Sequence, residues 1–403
     1  MIDLKAARAA PDGYRAALAR KGAADAFDAL LAADERWRAL IPEVDELRSR
    51  TKLKGKPSPE ELEALQQVKE DLKRREADLA EAEAERDRLA LLVPNPPADS
   101  VPDGDTEDDF LEVRRGPEPP QLENPVEHTE IGRFDMERAA RISGSRFGFW
   151  IGDAALVALA LYRFALDRLV AKGFVPVLPP VLVREEALVG TGWLPSDDPN
   201  VYEIESEGLY LAGTAEIPLG GLHQGEILGA DELPLRYVGF SPCFRSEAGA
   251  AGRDTRGMFR VHQFNKVEQF AFTLPEESWD EHERLLANTE ELVSELELPY
   301  RIVVLPTGDM SKASAKTYDV EIWFPSQDRY RETASISNTT DFQARRLGTR
   351  YRGEHGPEIV HTLNGTAVVD RMALAILENF QGAVPDALRD FGAPAEVTRN
   401  RRG

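Results

Sequence analysis

The sequence predicts an α+β protein of 403 residues, in which an N-terminal antiparallel α-helical coiled-coil arm precedes a domain with a mainly antiparallel β-sheet flanked by helices. Residues 27–93 contain almost no glycine and repeat apolar side chains at spacings of three and four, as coiled-coil helices do. Residues 94–125 are rich in proline and acids, a composition typical of a linker that buries no core. Beyond residue 129, short apolar runs follow one another with few helices between them, which favours an antiparallel sheet over a doubly wound fold.

The arm is predicted from two apolar stripes, one from Leu30 to Thr51 and the other from Leu65 to Leu89. Between them the segment 52–59, KLKGKPSP, contains a glycine and two prolines, so the chain is expected to turn back there. Pro42 lies within the first stripe and is expected to kink that helix. The two stripes therefore predict an antiparallel helical hairpin.

Basic residues cluster at the predicted tip of this hairpin. No acid occurs among residues 47–58, whereas the rest of the hairpin carries both signs of charge. A charge run of this kind is commonly no more than a solvated helix face. The alternative is an end that contacts the backbone of RNA. The residues concerned are Arg48, Arg50, Lys52, Lys54 and Lys56.

The sequence divides into three predicted parts: an N-terminal domain with the arm at 1–93, a linker at 94–128 and a second domain at 129–403. The strongest helix of the second domain is predicted to begin with a cap at Asp153 and to stop at Gly173. Apolar runs bounded by turn residues are predicted as strands. These runs are 175–178, 209–212, 235–240, 267–272, 301–305 and 319–324.

Composition excludes several classes of protein. The 49 Lys and Arg stand against 71 Asp and Glu, a net charge of -22, which argues against a general polyanion binder, so any contact with nucleic acid is expected to be local. The one cysteine, Cys243, excludes a disulfide framework and multi-cysteine metal sites and fits a reducing compartment. No signal peptide or membrane-spanning run is found, so we expect a cytoplasmic protein with no membrane partner.

Familiar short catalytic motifs are also absent from the sequence. It contains no GxxxxGK[ST] phosphate loop, no GxGxxG between a strand and a helix, no HExxH and no GxSxG. The six histidines are scattered without metal-ligand spacing, so structural or surface roles are expected for them.

Chemically rich residues concentrate instead between Phe244 and Phe270. A predicted strand ends in Arg245 and Glu247, a glycine-rich loop with several arginines follows, and a second strand returns to Glu268. An arginine on a rigid strand can clamp a phosphate with two hydrogen bonds, and an arginine-rich loop can close over a triphosphate. A simple salt-bridged hairpin is the alternative.

Five ordered motifs, together with the arm, resemble the bacterial-type seryl-tRNA synthetases of class II over about residues 1–392. The family's motif two, FRxE with a loop and a returning strand, is matched from Phe244 to Glu268, and motif one by the helix at 153–172 with GFVPVLPP at 173–180. The TxE substrate loop is matched at 214–216, the ExxSxSN segment at 332–338, and motif three from Asn364 to Arg371.

The resemblance implies a site residue by residue. Arg245, Glu268 and Arg371 would be catalytic, with Arg245 on the α-phosphate and the serine carboxylate and Arg371 on the γ-phosphate. Serine would lie among Thr214, Ala215, Glu216, Arg245, Glu268, Asn364 and Thr366. ATP would lie among Arg245, Ser246, Glu247, Arg260, Val261, Phe264, Glu332, Thr333, Ala334, Ser335 and Arg371, with Glu332 and Ser335 holding Mg²⁺ through the ATP.

The resemblance also implies the reaction and its partners. L-serine and ATP would form seryl-adenylate, and the seryl group would pass to the 3′ end of tRNA(Ser), and of tRNA(Sec) where one is present. The family's homodimer, built through motif one, and its tRNA-binding arm are implied too. Two alternatives are a paralogue that aminoacylates another acceptor or serves self-protection, and a non-catalytic RNA-binding paralogue; the intact charged residues disfavour the second and the retained arm disfavours the first.

Overall fold

The computed structural model describes residues 1–52, 58–196, 200–247 and 257–398. The chain divides into two compact units, Met1–Pro96 and Pro97–Gly403. Within the described ranges, no helix combines the length and the apolar character that crossing a membrane requires.

The first unit is a helical hairpin with two short helices before it. The second long helix begins at a capping box, because the Ser58 hydroxyl accepts from the Glu61 N–H at 3.2 Å and the Glu61 carboxylate accepts from the Ser58 N–H at 2.7 Å. Residues of both stripes, such as Val44 and Val68, are buried, and the first long helix is continuous across Pro42. The helices are α1 (Leu4–Ala9), α2 (Pro11–Ala19), α3 (Ala24–Arg50) and α4 (Pro59–Leu92).

The second unit is built on a sheet whose described part has eight strands. The strands of the whole unit, including those of the smaller sheets, are β1 (Leu111–Arg115), β2 (Arg133–Asp135), β3 (Phe149–Ile151), β4 (Val175–Val177), β5 (Leu182–Arg184), β6 (Tyr202–Ile204), β7 (Leu209–Leu211), β8 (Ile227–Leu228), β9 (Leu235–Phe244), β10 (Gln263–Thr273), β11 (Tyr300–Val304), β12 (Lys316–Phe324), β13 (Arg329–Thr340), β14 (Arg350–Gly353), β15 (Gly356–Ile359) and β16 (His361–Val369). The order in the main sheet is β1-β11-β12-β13-β16-β10-β9-β4, and its neighbours pair antiparallel except β4 with β9.

Helices cover one face of this sheet. Phe164, Leu286 and Ile376, from three different helices, share one apolar core with Val267 and Val320 of the strands. Because successive residues of a strand point to opposite faces, the neighbours of these apolar residues face the other side. The helices are α5 (His128–Ile131), α6 (Met136–Ser143), α7 (Asp153–Ala171), α8 (Glu185–Thr191), α9 (Glu216–Gly220), α10 (Ser278–Glu295), α11 (Phe342–Leu347) and α12 (Asp370–Asn379).

The predicted fold class is confirmed, and each of the six runs predicted as strands corresponds to a strand. The predicted cap of α7 is wrong, because Gly152 occupies the cap position and the Asp153 carboxylate accepts from the Thr398 N–H at 2.9 Å instead. The helix does end just before Gly173, whose φ of 90° suits a residue without a side chain.

The segment predicted as a linker contains part of the sheet. Strand β1 pairs antiparallel with β11, with Leu111 opposite Val304. All five residues of β1 are exposed, although Leu111 and Val113 alternate with charged residues as strand residues do. The proline-rich and acidic composition of this segment is therefore compatible with an edge strand.

Candidate active site

A cavity of about 350 Å³ opens on the sheet face opposite the apolar core. Its described walls include the residues just after β9, the first half of β10, parts of β12, β13 and β16, the start of α12, and loop residues such as Trp193 and Ser311. Most of its lining residues are polar or charged, in contrast to the core on the other face. The strand residues that face the cavity are therefore mostly polar, while apolar residues of the core cluster such as Phe259 and Val261 line another part of it.

Arg245 lies directly after β9 and is fixed on several sides. Its N–H donates to the His262 carbonyl at 2.9 Å, and its Nε donates to the Gly213 carbonyl at 3.3 Å. The guanidinium carbon lies 5.2 Å from the centre of the Phe264 ring and 5.7 Å from that of Trp193. A guanidinium held in this way can bind a planar anion with little loss of side-chain entropy.

Glu247 lines the cavity and adopts a strained backbone conformation. Its φ is 51°, which is uncommon for a residue with a side chain. The strained form is supported by two contacts: the Glu247 N–H donates to Asn200 Oδ1 at 2.6 Å, and Arg260 forms an ion pair with the carboxylate. Such strain persists where surrounding contacts determine the conformation, and it is common at functional sites.

Two carboxylates, the half-buried Glu216 and the buried Glu268, lie in one region of the cavity. Glu216 Oε1 accepts from Asn364 Nδ2 at 2.9 Å and from Gln343 Nε2 at 2.8 Å. Burial, with the negative charge of Glu268 as a second cause, raises the pKa of Glu216 to about 7. Burial also raises the pKa of Glu268, although Lys266 Nζ lies 2.5 Å from Glu268 Oε2.

Three oxygen-bearing residues face one another across β12 and β13. Asp319 lies opposite Ser335 in the register of the two strands, and Ser335 Oγ donates to Glu332 Oε1 at 3.4 Å. Asp319 Oδ1 is buried and has no hydrogen-bond partner among the described residues. Burial, and then the charge of Glu332, raise the pKa of Asp319 well above its ordinary value. These carboxylate and hydroxyl oxygens are the ligand type that a hard divalent cation prefers.

Arg371 is the second residue of α12, and its side chain contacts Phe259 and Glu332 across the cavity. Its Nε donates to the Phe259 carbonyl at 3.2 Å, and its Nη1 donates to the Glu332 carbonyl at 3.1 Å. The Arg371 guanidinium lies 4.7 Å from the centre of the Phe259 ring, and that of Arg331 lies 3.9 Å from the same ring. Two cations beside one ring form a region of positive charge suited to a phosphate.

The cavity brings together most of the residues implied by the resemblance. Three others do not line its described walls: Ala215 packs in an apolar cluster, Ala334 lies in the core, and the Ser246 hydroxyl donates to Asn200 Oδ1 at 3.3 Å. The implied residues that line it are Thr214, Glu216, Arg245, Glu247, Arg260, Val261, Phe264, Glu268, Glu332, Thr333, Ser335, Asn364, Thr366 and Arg371.

Sequence reasoning missed part of the lining. A usable signal was present in β12, where Thr317 and Asp319 alternate with apolar residues and so had to face one side together. Loop residues such as Trp193 gave no such signal. The cavity-lining residues missed are Trp193, Met258, Phe259, Lys266, Leu305, Asp309, Ser311, Ser314, Thr317, Asp319, Ser337, Val369 and Asp370.

The basic cluster predicted at the tip of the arm belongs to the first unit. Arg48 is paired there, with Nη2 3.0 Å from Glu76 Oε1 and Nη1 3.6 Å from Asp45 Oδ1. Arg50 and Lys52 are exposed. Lys54 and Lys56 lie outside the described residues.

Family models match both units. The model described as "tRNA synthetase class II core domain (G, H, P, S and T)" matches residues 201–380. The model described as "Seryl-tRNA synthetase N-terminal domain" matches residues 1–97.

Known proteins resemble the chain over nearly its full length. The serine–tRNA ligase of Mycobacterium tuberculosis is 47% identical over 410 residues, covering 97% of this chain and 98% of the relative. The serine–tRNA ligase of Thermobifida fusca is 46% identical, covering 97% of each chain. The crystal structure of seryl-tRNA synthetase from Pyrococcus horikoshii complexed with ATP superposes with a TM-score of 0.92 at 39% identity, covering 99% of each chain.

Proposed function

The chain belongs to the seryl-tRNA synthetase family and is an ATP-dependent serine–tRNA ligase, and from this premise we propose that both steps of its reaction take place in the cavity of the second unit. One observation carries the proposal: a single cavity of about 350 Å³ joins two carboxylates, Glu216 and Glu268, to the two arginines Arg245 and Arg371. Serine needs anions for its ammonium group, and ATP needs cations for its phosphates.

Serine binds at the acidic end. Its ammonium group pairs with the Glu216 carboxylate, which Asn364 already orients with a 2.9 Å hydrogen bond. Its hydroxyl donates to Glu268, which Thr366 contacts at 3.4 Å. The serine carboxylate then extends towards Arg245. Three fixed contacts hold the nucleophile in one orientation, which is the main contribution a protein makes to such a displacement.

ATP binds across the arginines, with adenine between Phe264 and Glu247 and the α-phosphate on Arg245. The serine carboxylate attacks the α-phosphorus in line, and a bond forms between carboxylate oxygen and phosphorus as the bond to the leaving pyrophosphate breaks. Arg245 and Arg371 stabilise the charge that builds up on the phosphate oxygens. The second step follows at the same place: a hydroxyl of the tRNA's 3′-terminal ribose attacks the seryl carbonyl carbon, and AMP leaves.

Glu332 and Ser335 would hold Mg²⁺ together with the ATP phosphates. The oxygen donors of this wall fit a hard cation, as does the buried Asp319 Oδ1, which no described residue hydrogen-bonds. When bound, the ion neutralises phosphate charge during the displacement. The protein's own part is to hold Glu332 through the 3.1 Å hydrogen bond that Arg371 donates to its carbonyl.

The arm binds tRNA(Ser), and the chain works as a homodimer. Exposed basic residues at 48–52, within an otherwise acidic protein, support local contact with RNA backbone. Exposed apolar residues on α7 and the segment after it, among them Leu159 at 59% and Leu178 at 81% exposure, support a twofold interface through motif one.

Two assays in sequence test the proposal. The first is serine-dependent exchange of pyrophosphate into ATP, and the second is charging of purified tRNA(Ser). Arg245→Ala is expected to abolish both activities. Arg88→Gln is the control for loss of an arginine, because Arg88 is an exposed residue of α4 that pairs with Glu85. A positive first assay with a negative second would select a paralogue that uses another acceptor.

A further inference from the structure

His128 is buried at the start of α5 in a fixed polar network. Its side chain is 1% exposed and that of Glu378, near the end of α12, is fully buried. His128 Nδ1 lies 2.6 Å from Glu378 Oε1, and the Glu378 carboxylate also accepts from the Ser326 N–H at 3.2 Å. Burial acts to raise the pKa of Glu378, but the hydrogen bonds from His128 and Ser326 outweigh it and hold that pKa below its ordinary value. The carboxylate is therefore an acceptor, and Nδ1 carries the imidazole proton.

The other ring nitrogen of His128, Nε2, accepts a hydrogen bond from the backbone of Met258. The Met258 N–H donates to His128 Nε2 at 3.4 Å, and a backbone N–H can only donate. The ring thus accepts at Nε2 while it donates at Nδ1. Gly257 lies against the same nitrogen: its φ is 69°, and a Cβ there would be 3.0 Å from His128 Nε2. A side chain at this position would crowd both His128 Nε2 and the Glu127 carboxylate, and the positive φ favours glycine.

Residues 257–260, which we call the return limb, lead from this contact into the cavity. The Phe259 carbonyl accepts from Arg371 Nε at 3.2 Å, and the ring of Phe259 lies beside the Arg371 guanidinium. Arg260 pairs with Glu247. Each residue after the His128 contact therefore touches a group that we assign to ATP.

The helix α12 holds both ends of this arrangement. Arg371 and Glu378 are seven residues apart, which places them two turns apart on the same face of a helix. Arg371 contacts the return limb directly, and Glu378 contacts it through His128. The limb is thus attached to one rigid element at two points.

We propose that His128 is a positioning residue for ATP: its Nε2 holds the return limb so that Phe259 and Arg260 keep their places in the nucleotide pocket. The proposal rests on the proposed function, because it assumes that ATP binds beside Arg371 and Glu247. His128 touches neither substrate, and it acts through Met258.

The test compares two substitutions of the same residue. In His128→Gln, the amide keeps one donor for Glu378 and one acceptor for Met258. In His128→Leu, the volume is kept and both groups are removed. Gln381→Asn is the matched control at the same end of α12. Gln381 Oε1 accepts from the Val126 N–H at 3.1 Å, its φ of 50° suits asparagine, and within the described residues it makes no hydrogen bond to the return limb.

Pyrophosphate exchange and amide hydrogen exchange are measured on each variant. His128→Leu is expected to raise the KM for ATP by about tenfold, while the KM for serine stays within about twofold. A tenfold change corresponds to about 1.4 kcal/mol, which lies within the usual effect of leaving one buried N–H unpaired. The Met258 amide is expected to exchange faster in His128→Leu alone. His128→Gln and Gln381→Asn are expected to keep the wild-type KM for ATP.

Equal KM values for ATP in the Leu and Gln variants, or an equal rise in Gln381→Asn, would overturn the proposal in favour of a purely structural histidine. If His128→Leu does not fold, His128→Asn replaces it, because the shorter amide reaches Glu378 without reaching Met258. If the wild type shows no serine-dependent exchange, the proposed site fails, and the Met258 amide exchange still decides whether His128 holds the limb.

Discussion

Lys266 and Glu268 form a buried ion pair on one face of β10, with Nζ 2.5 Å from Oε2 and side chains only 8% and 2% exposed. The pair lies inside the cavity, where Glu268 is also the residue that we assign to the serine hydroxyl. The ammonium group of Lys266 offsets the charge of Glu268, so the carboxylate can accept a hydrogen bond from serine in a site shielded from water. The same pairing is the structural alternative to a role in serine binding, and the first prediction separates the two.

Replacing Glu268 is expected to weaken serine activation far more than ATP binding, because the phosphate contacts lie on other residues. Glu268→Ala leaves Lys266 buried and unpaired, which costs about 3–5 kcal/mol of folding free energy in comparable cases. Glu268→Gln keeps the shape and is the better kinetic variant. The measurement is the serine and ATP dependence of pyrophosphate exchange, with alanine as competitor. If serine activation survives with its preference over alanine intact, Glu268 only pairs with Lys266.

Alanine is expected to be refused more strongly than threonine. A site that hydrogen-bonds a substrate hydroxyl rejects an analogue without it by roughly 10⁴ in favourable cases, whereas exclusion of one added methyl contributes only about 1–3 kcal/mol. Glu268 and Thr366 supply the hydroxyl contacts. The comparison is kcat/KM for activation of serine, alanine and threonine. Alanine activated as well as threonine or better would show that the hydroxyl contacts do not control selection.

Serine affinity is expected to increase with pH between about 6 and 8. The pKa of Glu216 is about 7 because the group is buried and lies near Glu268, and only the ionised form pairs with the serine ammonium group. The KM for serine should therefore fall by up to about tenfold per pH unit below this pKa. Asp370, with a pKa of about 6, titrates in a neighbouring range. Glu216→Gln separates the two groups, because it should remove the part of the profile centred near pH 7.

The same group predicts how stability depends on pH. The folded-state pKa of Glu216 is raised above the ordinary value of 4.5, so between about pH 4.5 and 7 the unfolded chain loses a proton that the folded chain keeps. Stability due to this group is highest below pH 4.5 and falls as pH rises to about 7, by up to about 1.4 kcal/mol per pH unit. Glu216→Gln should therefore be the more stable protein at pH 8 by denaturant unfolding. A variant less stable than the wild type at that pH would contradict the assignment.

Removing the arm is expected to spare adenylate formation and to abolish most charging. Deletion of residues 30–90 tests this directly. Neutralising Arg48, Arg50, Lys52, Lys54 and Lys56 should reduce charging more mildly and reduce the slope of log K against log salt by about 0.7–0.9 for each RNA phosphate that is no longer bound. Arg48 should contribute less than its neighbours because Glu76 and Asp45 already pair with it. Unchanged charging would show that the basic tip is a solvated face, and Arg88→Gln is the control.

Sedimentation is expected to show a dimer that a charge on the motif-one surface disrupts. Leu159→Glu and Leu178→Glu place a carboxylate on residues that are 59% and 81% exposed in one chain. Burying an unpaired charge at an interface is costly, so both variants should shift towards monomer. Leu62→Glu, at an apolar residue of the arm that is 51% exposed, is the control and should not change the assembly. A wild type that is active as a stable monomer would exclude the homodimer.

The outline of the site could be predicted because its chemistry is attached to ordered motifs. Arg245, Glu216, Asn364 and Arg371 line the cavity, as the resemblance implied. The methyl side chains of Ala215 and Ala334 do not line the cavity, and both pack against apolar residues. Motif membership identifies a stretch of backbone, and local geometry decides which residues face the site: Ala334 lies on β13, where side chains alternate between faces, and Ala215 directly precedes α9.

The sequence by itself determined the helical hairpin, the antiparallel sheet, the family and the charged groups that the reaction needs, because these depend on local periodicity and on motifs that are contiguous in the chain. Only the tertiary structure decided that β1 joins the sheet as an exposed edge, that Asp319 faces Ser335, and that His128 meets Met258 across 130 residues of chain. The physical reason is that burial and pairing depend on which strands and helices become neighbours. The spatial order of the strands and helices follows from how they pack around one shared core, and no local sequence pattern encodes it.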